Sequence, residues 1–153
     1  MGKPKRYNQD ALLVHPNVAE VRSQYIFAVL DGHGNFGHLV SNFIKSNLGK
    51  HIEENLKSCA SDDPEILSFA IKRGIQKSEV LMQSASIDTS LSGTTLAMTL
   101  IRDNTLVCAN IGDSRAVMGK FTNGQWQAVE LTNDHKPDNI VCLLYTSPSP
   151  RDS

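Results

Sequence analysis

The sequence is poor in aromatic residues, in cysteine and in net charge, and each shortage closes off a class of protein. Phe, Trp and Tyr make up 6% of the 153 residues, 40% are hydrophobic, and 15 basic residues nearly balance 16 acidic ones, leaving a formal charge of -1. A chain of this kind is not kept unfolded by charge, and it lacks the basic excess that draws proteins to nucleic acid or anionic membranes. No nucleic-acid or membrane partner is therefore expected. Cys59, Cys108 and Cys142 are widely spaced and include no Cys-x-x-Cys pair, which speaks for reduced thiols rather than a disulfide framework or a zinc site. No window approaches the roughly 18 consecutive apolar residues of a membrane span, and no apolar stretch follows the basic start. A cytosolic or nuclear location is the expectation. Walker loops, dinucleotide fingerprints and His-Glu-x-x-His are missing as well.

What is present is a change of hydrophobic period along the chain. Residues 11–15 and 24–30 are short apolar runs that read as two strands, joined by a polar stretch around Pro16 and Asn17. From His38 the period becomes helical, with Leu39, Val40, Phe43, Ile44 and Leu48 on one stripe and an end expected near Gly49. A second helix is announced by Asp63 as N-cap and Pro64 at its first position, with Ile66, Leu67, Ala70, Ile71 and Ile75 as its apolar face and Leu81 and Met82 further on. Gly74 lies inside that helix, where a bend or a close helix contact is expected. Residues 94–101, 105–111, 115–121 and 126–131 then read as strands separated by short turns, Asn123-Gly124 being the clearest hairpin signal. Turns this short join antiparallel neighbours, so the C-terminal half is expected to be a meander. The fold class is α+β. The Ser-Pro-containing stretch 145–153 shows no apolar periodicity and is expected to be disordered.

The candidate chemistry sits at strand ends. Asp31-Gly32-His33-Gly34 closes the second apolar run, placing a carboxylate, a glycine carbonyl and an imidazole together. Hard oxygen donors of this type suit Mg²⁺ or Mn²⁺, with His33 as a proton donor nearby. The plain alternative is an Asp-Gly turn with an exposed histidine. Asp113, in Gly112-Asp113-Ser114-Arg115, again ends an apolar run, which would set two carboxylates at neighbouring strand ends; an ordinary hairpin loop is the alternative. Residues 112–116 also graze a nucleophile elbow, but Ala116 replaces the final glycine and a strand follows, which disfavours serine hydrolase chemistry. Lys5 or Arg6 could hold a phosphate and Asp10 a metal ion or its water, or the two cations could be a solvated basic end. His15, His38, His51 and His135 have no ligand spacing and read as surface or helix-end residues.

Taken in order over residues 5–138, five segments resemble the metal-dependent PP2C (PPM) family of protein serine/threonine phosphatases. They are Lys5-Arg6-Tyr7-Asn8-Gln9-Asp10, residues 27–34 ending in Asp31-Gly32-His33-Gly34, Ser92-Gly93-Thr94-Thr95, residues 110–116, and Asp134-His135-Lys136-Pro137. The resemblance implies part of a sandwich of two antiparallel sheets flanked by helices, with a binuclear Mg²⁺/Mn²⁺ centre that activates water against phosphoserine or phosphothreonine in partner proteins. It implies Asp31 as a ligand bridging both ions, the Gly32 carbonyl as a ligand to one of them, and Asp113 at an additional, weaker metal site; Asp10, able to bind a metal ion or its water, completes the expected metal set. His33 would be the general acid, and Lys5 or its neighbour Arg6 the phosphate-holding cation. Gln9 stands where many members carry a Glu ligand, and the family's later Asp-Gly-x-Trp-Asp-like and Asp-Asn-like motifs do not occur in these residues. The expectation is thus a partial phosphatase domain over 1–138, followed by a non-matching segment, 139–153, that is disordered or artefactual. Weak or no turnover is expected of such a chain, the alternative being a phosphatase-like binding module without catalysis.

Overall fold

A computed structural model of the protein describes residues 7–59 and 61–135. Along them run β1 (Asp10–Pro16), a 3-10 turn (Val18–Glu20), β2 (Gln24–His33), α1 (Gly37–Leu56), α2 (Pro64–Gln83), β3 (Gly93–Thr94), β4 (Leu96–Arg102), β5 (Thr105–Ile111), β6 (Val117–Thr122) and β7 (Gln125–Glu130). The expected α+β architecture is found, with two antiparallel sheets and a helical layer. One sheet has the order β1-β2-β4-β5, with the short β3 continuing the pairing along the end of β2; the other is the β6–β7 hairpin.

The period-2 pattern of β2 decides which face of the large sheet is covered. Gln24, Ile26, Ala28, Leu30 and Gly32 are buried, while Tyr25, Phe27, Val29, Asp31 and His33 alternate with them and are exposed. Of the inward residues, Ile26, Ala28 and Leu30 join Met98 and Leu100 of β4 in one core with Leu48 and Ile52 of α1 and Leu67 and Ile71 of α2. Each Leu, Ile or Met among them, fully buried, contributes about 1.5–3 kcal/mol. Neither helix is long and apolar enough to cross a membrane among the described residues.

The helix starts agree with the sequence, and one helix end does not. Asp63 caps α2 by accepting the Glu65 N–H at 2.9 Å, with Pro64 at the first position. α1 does not stop near Gly49 but continues to Leu56. Gly49 is retained inside the helix because the His15 ring packs over it, a Cβ there falling 3.2 Å from the ring. Continuing the helix brings His51 into the α1–α2 interface, where it is 8% exposed. Its Nδ1 lies 2.8 Å from Ser78 Oγ, whose hydroxyl donates to the Gly74 carbonyl, so the ring donates to Ser78. The expectation of a surface histidine is corrected: burial holds His51 below its ordinary pKa. Gly74 marks the expected close helix contact, since a Cβ would sit 2.5 Å from Ile52 Cγ1 and 2.8 Å from its Cα. Leu39, Ile66 and Leu81, expected on apolar stripes, are exposed instead at their margins.

The meander is also corrected. β4–β5 and β6–β7 are hairpins, the latter turning through Asn123 and Gly124, both at positive φ. β5 and β6, however, belong to different sheets. Gly112 at φ +89° turns the chain away from the β5 edge, so a link as short as a hairpin loop carries it from one sheet to the next. Cys59 and Cys108 are free thiols; Cys142 and the segment 139–153 lie outside the described residues.

Candidate active site at the strand ends

The register of β1 and β2 places Asp10 directly opposite Asp31. Facing residues of an antiparallel pair project their side chains to one side, so both carboxylates lie on the face of the sheet away from the helices, beyond the exposed Leu12 and Val29. Like charges facing each other destabilise a strand pair. A cation that both carboxylates could share removes that penalty, and oxygen donors of this kind are the ligands Mg²⁺ and Mn²⁺ take. The donor set present therefore fits such an ion in part. No group of three or more His, Cys, Asp or Glu side chains gathers among the described residues.

Glycines shape the ground beside the pair. A Cβ on Gly32 would lie 2.5 Å from the Gly37 carbonyl oxygen and 2.6 Å from that of Gln9, so only glycine lets β2, the β1 approach and the start of α1 converge. The Gly32 N–H donates to the Gln9 carbonyl at 3.2 Å, and the Ser41 hydroxyl donates to the same oxygen at 2.6 Å. Gln9 itself points inward: its Oε1 is buried without a hydrogen-bond partner and occupies the space a side chain on Gly37 would need. His33 projects to the same face as Asp31, two residues along the strand. Its ring lies over Gly93, where a Cβ would be 2.8 Å from Nε2. Ser92 fixes that neighbourhood, its hydroxyl accepting the Phe36 N–H at 3.0 Å.

Asp113 is not at the strand end next to Asp31. β4 lies between β2 and β5, and the carboxylate that does stand beside Asp31 is Asp10. The expected neighbouring pair is thus corrected, because turn sequences do not disclose which strand intervenes. Asp113 is exposed on the turn after β5. Arg115 anchors that turn with a two-pronged contact, Nε and Nη2 each donating at 2.8 Å to Asp134, while Nη1 donates to Glu130 at 2.6 Å. The Asp134 hydrogen bonds, ahead of the surrounding negative charge, hold the guanidinium protonated above its usual range. Asn110 Nδ2 donates to the carbonyls of Gly112 and Asn133, and the His135 N–H donates to Gly112. The segments around Gly112 and Asp134, far apart in sequence, are therefore one structural unit. Lys5, Arg6, Lys136 and Pro137 lie outside the described residues.

Comparison with known proteins agrees with this arrangement. Residues 2–141 match the family described as Protein phosphatase 2C. The chain is 35% identical over 138 residues to probable protein phosphatase 2C 64 of Oryza sativa subsp. japonica, covering 88% of this chain and 32% of that protein. It is 31% identical over 137 residues to probable protein phosphatase 2C 35 of Arabidopsis thaliana, covering 88% of this chain and 37% of that one. It thus spans about a third of the length of these relatives. The crystal structure of serine-threonine phosphatase 2C from Toxoplasma gondii has the same fold, with a TM-score of 0.73 at 20% identity, over 88% of this chain and 48% of that one. A family match over almost the entire sequence, with strands and helices in the arrangement of a solved member, leads to one conclusion: this chain belongs to the protein phosphatase 2C family.

Proposed function

We propose that the chain carries the first carboxylates and the general acid of a Mg²⁺- or Mn²⁺-dependent protein serine/threonine phosphatase, acting on phosphoserine and phosphothreonine in partner proteins. The observation that carries this is the pairing of Asp10 with Asp31 at adjoining strand ends, with His33 on the same face. The names of the relatives, protein phosphatases 2C, support phosphorylated proteins as the substrate class. Asp10, Asp31 and the Gly32 carbonyl would hold the ions, with Asp113 at a weaker additional site. Such ions supply Lewis acidity, lowering the pKa of water and neutralising charge that develops on the phosphoryl group. The chain's own residues do the rest. His33, its ring accommodated by Gly93, would give a proton to the departing serine or threonine oxygen as the P–O bond breaks. Lys5, or its neighbour Arg6, would hold the phosphate oxygens by charge. Gln9, its side chain turned into the protein, does not supply the carboxylate found there in many members of the family.

A second reading, a phosphoprotein-binding module without catalysis, is favoured by the lack of a third acidic ligand among the described residues. One set of measurements separates the two. Mn²⁺ binding to the 153-residue chain, followed by electron paramagnetic resonance, should be lost in Asp31→Asn; equal binding by both proteins overturns the cation site. Chelator-sensitive hydrolysis of a phosphothreonine peptide should be slow but detectable with this chain, since a carboxylate pair alone activates water poorly. Peptide binding with no turnover at any Mn²⁺ concentration would favour the binding module, and fast turnover would overturn the expectation of an incomplete centre.

A further inference from the structure

The Ser92-Gly93-Thr94-Thr95 segment has a part not accounted for by the carboxylates and the histidine. β2 pairs with β4 as far as Val29 opposite Ala97, and with β3 from Gly32 opposite Thr94; the ladder is interrupted between them, where Asp31 faces Thr95. In a regular hydrogen-bonded pair these two residues would exchange two backbone bonds. One is made, from the Thr95 N–H to the Asp31 carbonyl at 2.9 Å. The other is diverted: the Asp31 N–H donates to the Thr95 hydroxyl at 3.1 Å, and the Thr95 carbonyl accepts instead from the Thr94 hydroxyl at 3.0 Å. Side-chain hydroxyls competing for backbone groups are the reason Ser and Thr interrupt regular pairing.

The same Thr95 Oγ1 is hydrogen-bonded to Ser114 Oγ at 2.6 Å. Gly112 closes over it, since a Cβ there would lie 2.8 Å from Thr95 Cγ2. Thr95 is 8% exposed, so its hydroxyl has little access to water and its bonds to Asp31 and Ser114 are not readily exchanged for solvent. One buried hydroxyl thereby joins the backbone of Asp31 to the turn that carries Asp113, although β4 separates the two strands.

We propose that Thr95 is a positioning residue, whose hydroxyl locks the Asp31 strand end to the turn 112–115 and so sets the carboxylate geometry for the divalent cation. This inference rests on the cation site proposed above and adds to it a residue that touches no ion. Groups that orient metal ligands typically change metal affinity by about 10–100-fold when removed. Thr95→Val keeps the shape of the side chain and removes the hydroxyl, Thr95→Ser keeps the hydroxyl and removes the methyl, and Ser114→Ala removes the partner from the turn side.

The test is Mn²⁺ affinity of the full 153-residue chain by electron paramagnetic resonance, read beside the backbone amide resonances of Asp31 and Ser114 in the metal-free protein. The expected result is a loss of about 10–100-fold for Thr95→Val, near-wild-type affinity for Thr95→Ser, and shifted Asp31 and Ser114 amides in Thr95→Val without Mn²⁺. Where Thr95→Val does not melt cooperatively, Ser114→Ala carries the comparison, with weakened Mn²⁺ binding and a shifted Asp31 amide expected. Wild-type affinity in Thr95→Val, or in Ser114→Ala where it stands in, overturns the positioning role alone. A wild-type chain that binds no Mn²⁺ overturns the cation site and this inference with it.

Discussion

The two faces of β2 are built from alternate residues of one strand and do opposite work. Toward the helices, Ile26 and Leu30 are fully buried beneath α1 and α2. On the other side Phe27 and Val29 remain 38% and 51% exposed, Tyr25 and Phe27 stack with ring centres 6.3 Å apart, and the row ends in Asp31 and His33. The covered face therefore holds the fold, and the open face carries the residues proposed for the chemistry. Substitutions on the two faces should separate stability from ligand binding, although neighbouring residues on the strand are a single peptide unit apart.

The sharpest separation is between Leu30→Ala and Val29→Ala. Removing Leu30 from the core should cost about 2–5 kcal/mol, whereas Val29→Ala, on the open face, should cost below about 1 kcal/mol. Chemical denaturation of both chains checks this, and equal losses would break the contrast. Gly74→Ala comes next. The added methyl meets Ile52 backbone as well as its side chain, so the helix pair must separate, at about 1–3 kcal/mol.

Acid should act on the covered side through His51. The unfolded chain takes up a proton near the ordinary value of 6.5, while the buried ring, desolvated first and then opposed by Lys77 and Lys50 against the favourable Glu54, does so only at lower pH. Unfolding thus binds a proton in that window, and the stability gained by keeping the ring neutral is present above pH 6.5 and lost as pH falls below it. Thermal melts between neutral and mildly acidic pH should show a decline that His51→Gln flattens. The smallest stability effect belongs to Asp31→Asn. Relieving the opposition to Asp10 should leave the melting temperature of the metal-free chain equal to or slightly above wild type, while removing the gain in melting temperature expected when Mn²⁺ is added to the wild-type chain.

Much of the covered face is legible in the amino-acid sequence. The alternation in β2, the Asp63-Pro64 start of α2 and the Asn123-Gly124 turn are local signals, and local geometry satisfies them. The end of α1 is not legible in the same way, because Gly49 is a helix stop only if nothing needs its bare surface; His15, on β1, does. A helical period that includes Ile44, Leu48, His51 and Ile52 is the signal that exposes both the longer helix and the buried histidine. At the site, Asp31, Gly32 and His33 stand out because they are contiguous. That Asp10, and not Asp113, faces Asp31 depends on strand order, which turn sequences do not encode. Thr95 is hidden for a similar reason, since its hydroxyl takes a backbone bond that belongs to the ladder and hands it to a turn two strands away. A pair of threonines straddling a strand boundary is the one local hint.

The phosphatase chemistry proposed for the open end of the sheet would require Asp10 and Asp31 to share a divalent cation. A crystal of the 153-residue chain soaked in Mn²⁺ and measured at the manganese edge tests this most directly. An anomalous peak between the two carboxylates, lost in Asp31→Asn, is the predicted result; Mn²⁺ bound only elsewhere, or a peak that survives the substitution, would contradict it.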